Sequence, residues 1–165
     1  MQVVNVYIGD PAYSLALVLA GLLVASGIGA ALSTRLSSVP ASRVIAFATP
    51  TIAAAIIVWL ICIHFLTRET MHLPLVARAA ITLIGILPVG ILLGFPFPTA
   101  VRQLERSNPS FIAWAWGVNG VTSVLASIAA ILVAMRFGFT VVVTVAAAIY
   151  VLGMVSYRSH SSALR

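Results

Sequence analysis

The stretch AYSLALVLAGLLVASGIGAALS, residues 12–33, holds no charged side chain over 22 positions and decides the fold class. Wound as a helix rising about 1.5 Å per residue, it reaches about 33 Å, enough to cross a hydrocarbon core of about 30 Å. Four further apolar stretches follow at similar intervals: Val44 to Leu66, Leu75 to Phe97, Phe111 to Met135 and Thr140 to Tyr157. The last is short, so it stands close to the membrane normal or borrows length from Ser159 and His160 at the interface. Alternating apolar and polar residues are absent, which removes a barrel. The reading is an all-α, polytopic bundle of about five spans, forming one transmembrane domain over residues 1–165.

Composition points the same way. Hydrophobic residues make up 62% of the chain and charged residues 7%, whereas a soluble domain needs about a quarter of its residues charged. Most of the surface therefore faces lipid. The net charge is +6 and every basic residue is an arginine. These arginines stand singly between apolar runs, without the clustering or aromatic interleaving of a nucleic-acid interface, so they read as topology signals. Cys62, the lone cysteine, lies inside an apolar run and reads as a small packing residue. No basic region precedes the first span, so that span is expected to stay in the mature chain.

Arginine placement orients the spans. Arg35 and Arg43 follow the first, Arg102 and Arg106 the third, Arg158 and Arg165 the fifth; the other side carries Arg68, Arg136 and Arg78, the last able to snorkel from within a helix. Positive charge concentrates on the cytoplasmic side, which places the amino terminus outside and the carboxyl terminus inside. The tight turn Arg136-Phe137-Gly138-Phe139 makes the last two spans antiparallel neighbours.

Small residues mark where helices meet. Gly21, Ala25 and Gly29 recur every fourth residue in the first span, as do Gly90 and Gly94 in the third. In lipid, where hydrophobicity gives no drive for helix association, such residues let backbones approach closely. They serve packing within the chain or a dimer face. The third span also carries Pro88, Pro96 and Pro98. Pro88 predicts a kink, Pro96 and Pro98 a stop, and broken helix ends can alternatively bind ions.

The fourth span opens on Trp114 and Trp116, suited to anchor at the headgroup level. Deeper in, Asn119, Ser123 and Ser127 share one face at four-residue steps, with Gly120 and Ala130 on the same side. An amide in lipid needs a partner, so this face is expected to point into the bundle. The carbonyl of Ile84, which Pro88 deprives of its helical donor, is the expected partner of Asn119. A substrate contact in a cavity is the alternative.

Pro88-Val89-Gly90, Gly94-Phe95-Pro96-Phe97-Pro98, the run Trp114-Ala115-Trp116-Gly117-Val118-Asn119-Gly120 and Phe137-Gly138-Phe139 together resemble the membrane region of bacterial spermidine synthase-like membrane proteins. Ile8-Gly9-Asp10-Pro11 and Ser26-Gly27-Ile28-Gly29 extend the resemblance, with Asp10 where those proteins have histidine. It implies helices like half a major-facilitator transporter, a bacterial inner-membrane location, and a further helix before the stretch matching Met1 to Asp10. The family's soluble aminopropyltransferase chemistry has no residues here onto which it carries. These 165 residues show no glycine-rich loop after a strand and no acids placed to hold a ribose or a polyamine amine.

No catalytic, cofactor or metal set emerges. His64 and His72 lack companions at ligand spacing beyond each other and Glu69. A transporter for a cation needs an acid within the bilayer, and Asp10, Glu69 and Glu105 all fall at or beyond span ends. The expectation is a non-catalytic membrane subunit packed against another membrane protein or a second copy, with a half-transporter-like permease for a polyamine or other small solute as the alternative. Sidedness is directly testable. In a Cys62→Ala background, a cysteine at position 3 labels from outside intact cells and one at position 163 does not; the reverse pattern contradicts the orientation.

Overall fold

Asp10 starts the first long helix. Its Oδ1 accepts from the Tyr13 backbone N–H at 2.8 Å, and Pro11 fills the first helical position, where a missing N–H costs nothing. The computed structural model describes the backbone of residues 2–36 and 38–163, with side chains other than those of residues 2, 64, 154 and 157–163. It contains α1 (Gln2–Ile8), α2 (Pro11–Arg35), α3 (Ala41–Thr70), α4 (Leu75–Leu93), α5 (Pro96–Ser107), a 3-10 turn (Pro109–Phe111), α6 (Ile112–Phe137) and α7 (Phe139–Ala163). No strand occurs among the described residues. The protein is an all-α membrane protein. Among the described residues, four helical segments are long and apolar enough to cross a bilayer, and Phe139–Gly153 forms a shorter apolar fifth.

Helices α2 and α4 approach each other to backbone contact. A Cβ at Gly90 would stand 2.6 Å from the Ala25 Cβ, and one at Gly21 would stand 2.8 Å from Leu83 Cδ2. At Gly29 the added atom would collide with the Ile91 carbonyl, and at Gly94 with the Ser26 carbonyl. The two backbones touch along this seam, and only glycine fits at its tightest points. Gly85 does the same for the six-membered ring of Trp59, which locks α3 onto α4.

A buried cluster of Val4, Tyr7, Ile8, Val18, Ile63, Ala79 and Ile86 lies at one end, where α1 packs on α2, α3 and α4. Gly9, at φ 89°, lets α1 end against its own last turn and the chain reverse into α2. Beyond this cluster, large apolar side chains face outward; Leu23 is 70% exposed and Phe47 74%. In a chain this poor in charge, that surface is the lipid-facing one.

Two expectations need correction. The third span does not continue to Phe97 as one helix. It runs through Pro88 and ends at Leu93, with the Gly94 and Phe95 N–H groups bonded to Ile91 and Leu92 carbonyls, respectively. Pro96 then begins α5 rather than merely ending α4, because proline is suited to a first helical position. The segment that follows, left between the third and fourth spans in the sequence reading, is a 12-residue amphipathic helix. The second span is also longer than Val44 to Leu66, extending to Ala41–Thr70 around an internal Pro50.

The seam sets a test. Gly29→Ala forces a methyl into the Ile91 carbonyl and lowers stability by about 1–3 kcal/mol or more. Gly120→Ala, in open space, gains helix propensity of about 0.5–1 kcal/mol at most. Unfolding midpoints in mixed detergent distinguish the two; equal effects contradict the seam.

Candidate docking face

Helix α6 carries the polar stripe that the sequence singles out. Its attachments to the rest of the chain lie at its two ends. Near the start, Trp116 meets Phe97 of α5 edge to face, centroids 4.9 Å apart. Near the finish, Gly138 takes φ 86° and turns the chain into α7, which packs chiefly on α3. Partly buried positions of α6 are Ile112, Ala115, Ala130, Val133 and Ala134. Between them, every residue from 116 to 129 is exposed.

At about 3.6 residues per turn, those five partly buried positions lie within about 60° of Asn119 around the helix axis. The stripe of Asn119, Ser123 and Ser127 therefore lies on the side of α6 from which its contacts come. Nothing covers it. A Cβ at Gly117 or Gly120 would meet no atom within 4 Å. Ser123 Oγ donates to the Asn119 carbonyl at 2.6 Å, and Ser127 Oγ to the Ser123 carbonyl at 2.8 Å. These local bonds satisfy the hydroxyls within the helix. Among the described residues, the Asn119 amide has no partner.

This corrects the expected bond from Asn119 to Ile84. Asn119 is exposed, Ile84 is 68% exposed, and no hydrogen bond joins them. Among the described residues the stripe has no intrachain occupant. Pro88 also lies exposed, on an apolar groove of about 430 Å³ shared with Trp59 and Cys62 of α3. The other small residues singled out, Gly21, Gly29, Gly90 and Gly94, lie in the α2–α4 seam instead. Trp114 and Trp116, 71% and 58% exposed, stand in the first turns of α6, next to α5.

Polar groups at the helix ends are handled by arginines. Arg102 on α5 donates to the Ser33 carbonyl at 2.7 Å and the Ser33 hydroxyl at 3.1 Å, so a cation sits on the carboxyl end of α2. Arg78 donates to the Tyr7 carbonyl at 2.6 Å at the end of α1, with its guanidinium 5.9 Å from the Tyr7 ring centroid. Tyr7 and Thr70 join their hydroxyls at 2.5 Å, tying α1 to α3. Sequence reasoning gave these arginines only a topological role. The signal for α5 was present in Pro96 as a helix start and in Arg102 and Arg106 one turn apart.

Among the described residues no three of histidine, cysteine, aspartate or glutamate gather as a metal group. His72 lies exposed after α3, and the His64 side chain, like Arg158, Ser159, His160 and Arg165, lies outside the described side chains. No protein-family model, curated protein or solved structure matches the chain.

The contrast between stripe and caps is measurable in the isolated protein. Asn119→Leu leaves the unfolding midpoint within about 0.5 kcal/mol of the parent, as expected of an exposed site without partners. Arg102→Gln removes charge-assisted bonds at the α2 terminus and lowers stability by about 1–2 kcal/mol. A loss at Asn119 as large as that at Arg102 contradicts the open stripe.

Proposed function

We propose that the chain is a non-catalytic membrane module that receives a helix of another membrane protein, or of a second copy, along the Asn119–Ser127 side of α6. One observation carries this reading: a transmembrane helix presents an unpartnered amide, with glycine and serine beside it, on the side where it joins the bundle. An unpaired amide placed in hydrocarbon costs about 2–7 kcal/mol. A helix laid on this stripe would supply an acceptor or donor for Asn119, and the small residues would let it approach closely. The resemblance to spermidine synthase-like membrane proteins supports the same role, a helical region accompanying a partner that does the chemistry, in a bacterial inner membrane with the amino terminus outside.

The half-transporter reading draws on the same open side of α6, since a cavity wall also carries uncovered polar groups. It is weakened by the placement of the acids. Asp10 caps the start of α2, Glu69 lies in the last turn of α3, and Glu105 is exposed on α5. None stands in the middle of a span, where a site for a polyamine or other cation needs one.

Cross-linking in native membranes tests the docking. p-Benzoylphenylalanine at Ser123 or Ser127, which inserts into a neighbouring C–H bond on irradiation, forms adducts several-fold more readily than the same residue at Leu23, which faces lipid on α2. An adduct of twice the mass identifies a second copy, and a larger or smaller shift identifies another membrane protein. Equal, background cross-linking at all three positions overturns the reading.

A further inference from the structure

Two grooves of opposite character adjoin at the end of the molecule where α2 finishes and α3 begins. The first, about 450 Å³, runs between the α2–α3 connection and α5, and is lined by Ser38, Ser42, Arg102, Arg106 and Ser107 among others. The second, about 350 Å³, descends between α3 and the end of α4 against Val44, Phe47, Thr51, Leu92 and Phe95, with Arg43 at its rim. Leu36 and Val39 line both, so the grooves share a wall.

Charge distribution defines what fits. No acidic residue lines either groove; Asp10 and Glu69 belong to the opposite end, and Glu105 on α5 lies outside both linings. Arg102 spends its terminal nitrogens on α2 and Thr99. Arg43 and Arg106 are exposed and have no partner among the described residues. A basic, hydroxyl-lined groove beside an apolar one, at the level of an amphipathic helix, matches an amphiphile whose head is anionic and whose tail is hydrocarbon.

We infer that this paired groove is a binding site for an anionic phospholipid, its phosphate between Arg106 and Arg43 and one acyl chain along Val44, Phe47 and Leu92. Phosphate oxygens accept charge-assisted bonds from guanidinium groups that are otherwise left unneutralised. The acyl chain covers apolar surface that the bundle leaves open below them. The site is independent of the α6 stripe and stands or falls separately from it.

Native mass spectrometry of the full chain in mild detergent, offered equimolar dioleoyl phosphatidylglycerol and dioleoyl phosphatidylcholine, tests the site. The expected result is several-fold preferential retention of phosphatidylglycerol. Arg106→Gln and Arg43→Gln each reduce that preference roughly three- to tenfold, whereas Arg136→Gln, an equal charge loss at the far end of α6, leaves it unchanged. Millimolar inorganic phosphate leaves the lipid in place. Equal retention of the two lipids overturns the site, as does a preference insensitive to Arg106 and Arg43. Displacement by inorganic phosphate overturns the lipid assignment in favour of a free-anion site.

Discussion

The close approach of α2 and α4 at Gly29 and Gly94 is the constraint on which the rest of the structure depends. Both glycines face backbone atoms of the opposite helix rather than side chains, so neither contact can be relieved by a rotamer change. In a bilayer the alternative to a helix contact is a lipid contact of similar polarity. Association then rests on packing, and packing is best where backbones meet. Once α2 and α4 are paired, Gly85 admits Trp59 and fixes α3 against α4. Helix α7 packs on α3, and α6 is left at the periphery, tied at its two ends.

The ends of the helices are held by a different physics. A helix that terminates near the interface leaves carbonyls without donors, and Arg78 and Arg102 each supply guanidinium bonds to such an end. Each is also a link between elements distant in sequence: Arg102 reaches Ser33 from α5, and Arg78 reaches Tyr7 from α4. Arginines that the sequence offers as topology signals therefore also help to hold the helices in register. The unequal use of the arginines follows from this. Among the described residues Arg78 and Arg102 bond carbonyls, whereas Arg35, Arg43, Arg68, Arg106 and Arg136 do not, and of these Arg43 and Arg106 line the paired groove.

Much of this was legible in the sequence because the bilayer simplifies the code. Uncharged runs give the helices, and the four-residue spacing of Gly21, Ala25 and Gly29 marks the face on which α4 lies. Local chemistry was legible too in the turn around Gly138, whereas the helix start at Asp10-Pro11 went unread. What failed was reasoning that needed to know which helices are neighbours. Asn119 was assigned a partner on α4 because an amide in lipid needs one, but Asn119 is exposed and no hydrogen bond joins it to Ile84. Pro96 was read as a stop because prolines end helices, although the same ring can begin the next one. Trp59 and Gly85 could not be paired in advance, since nothing in either local sequence names the other.

Helix α6 turns its polar side toward the molecule, yet among the described residues nothing covers that side. Nitroxide labels placed singly from 116 to 129, read for collision with oxygen in native membranes and again in the purified chain, address it directly. In native membranes labels at 119, 123 and 127 are expected to be shielded relative to those at 118, 121 and 125, and purification is expected to abolish the difference. Identical accessibility around the whole helix in both settings would contradict that expectation.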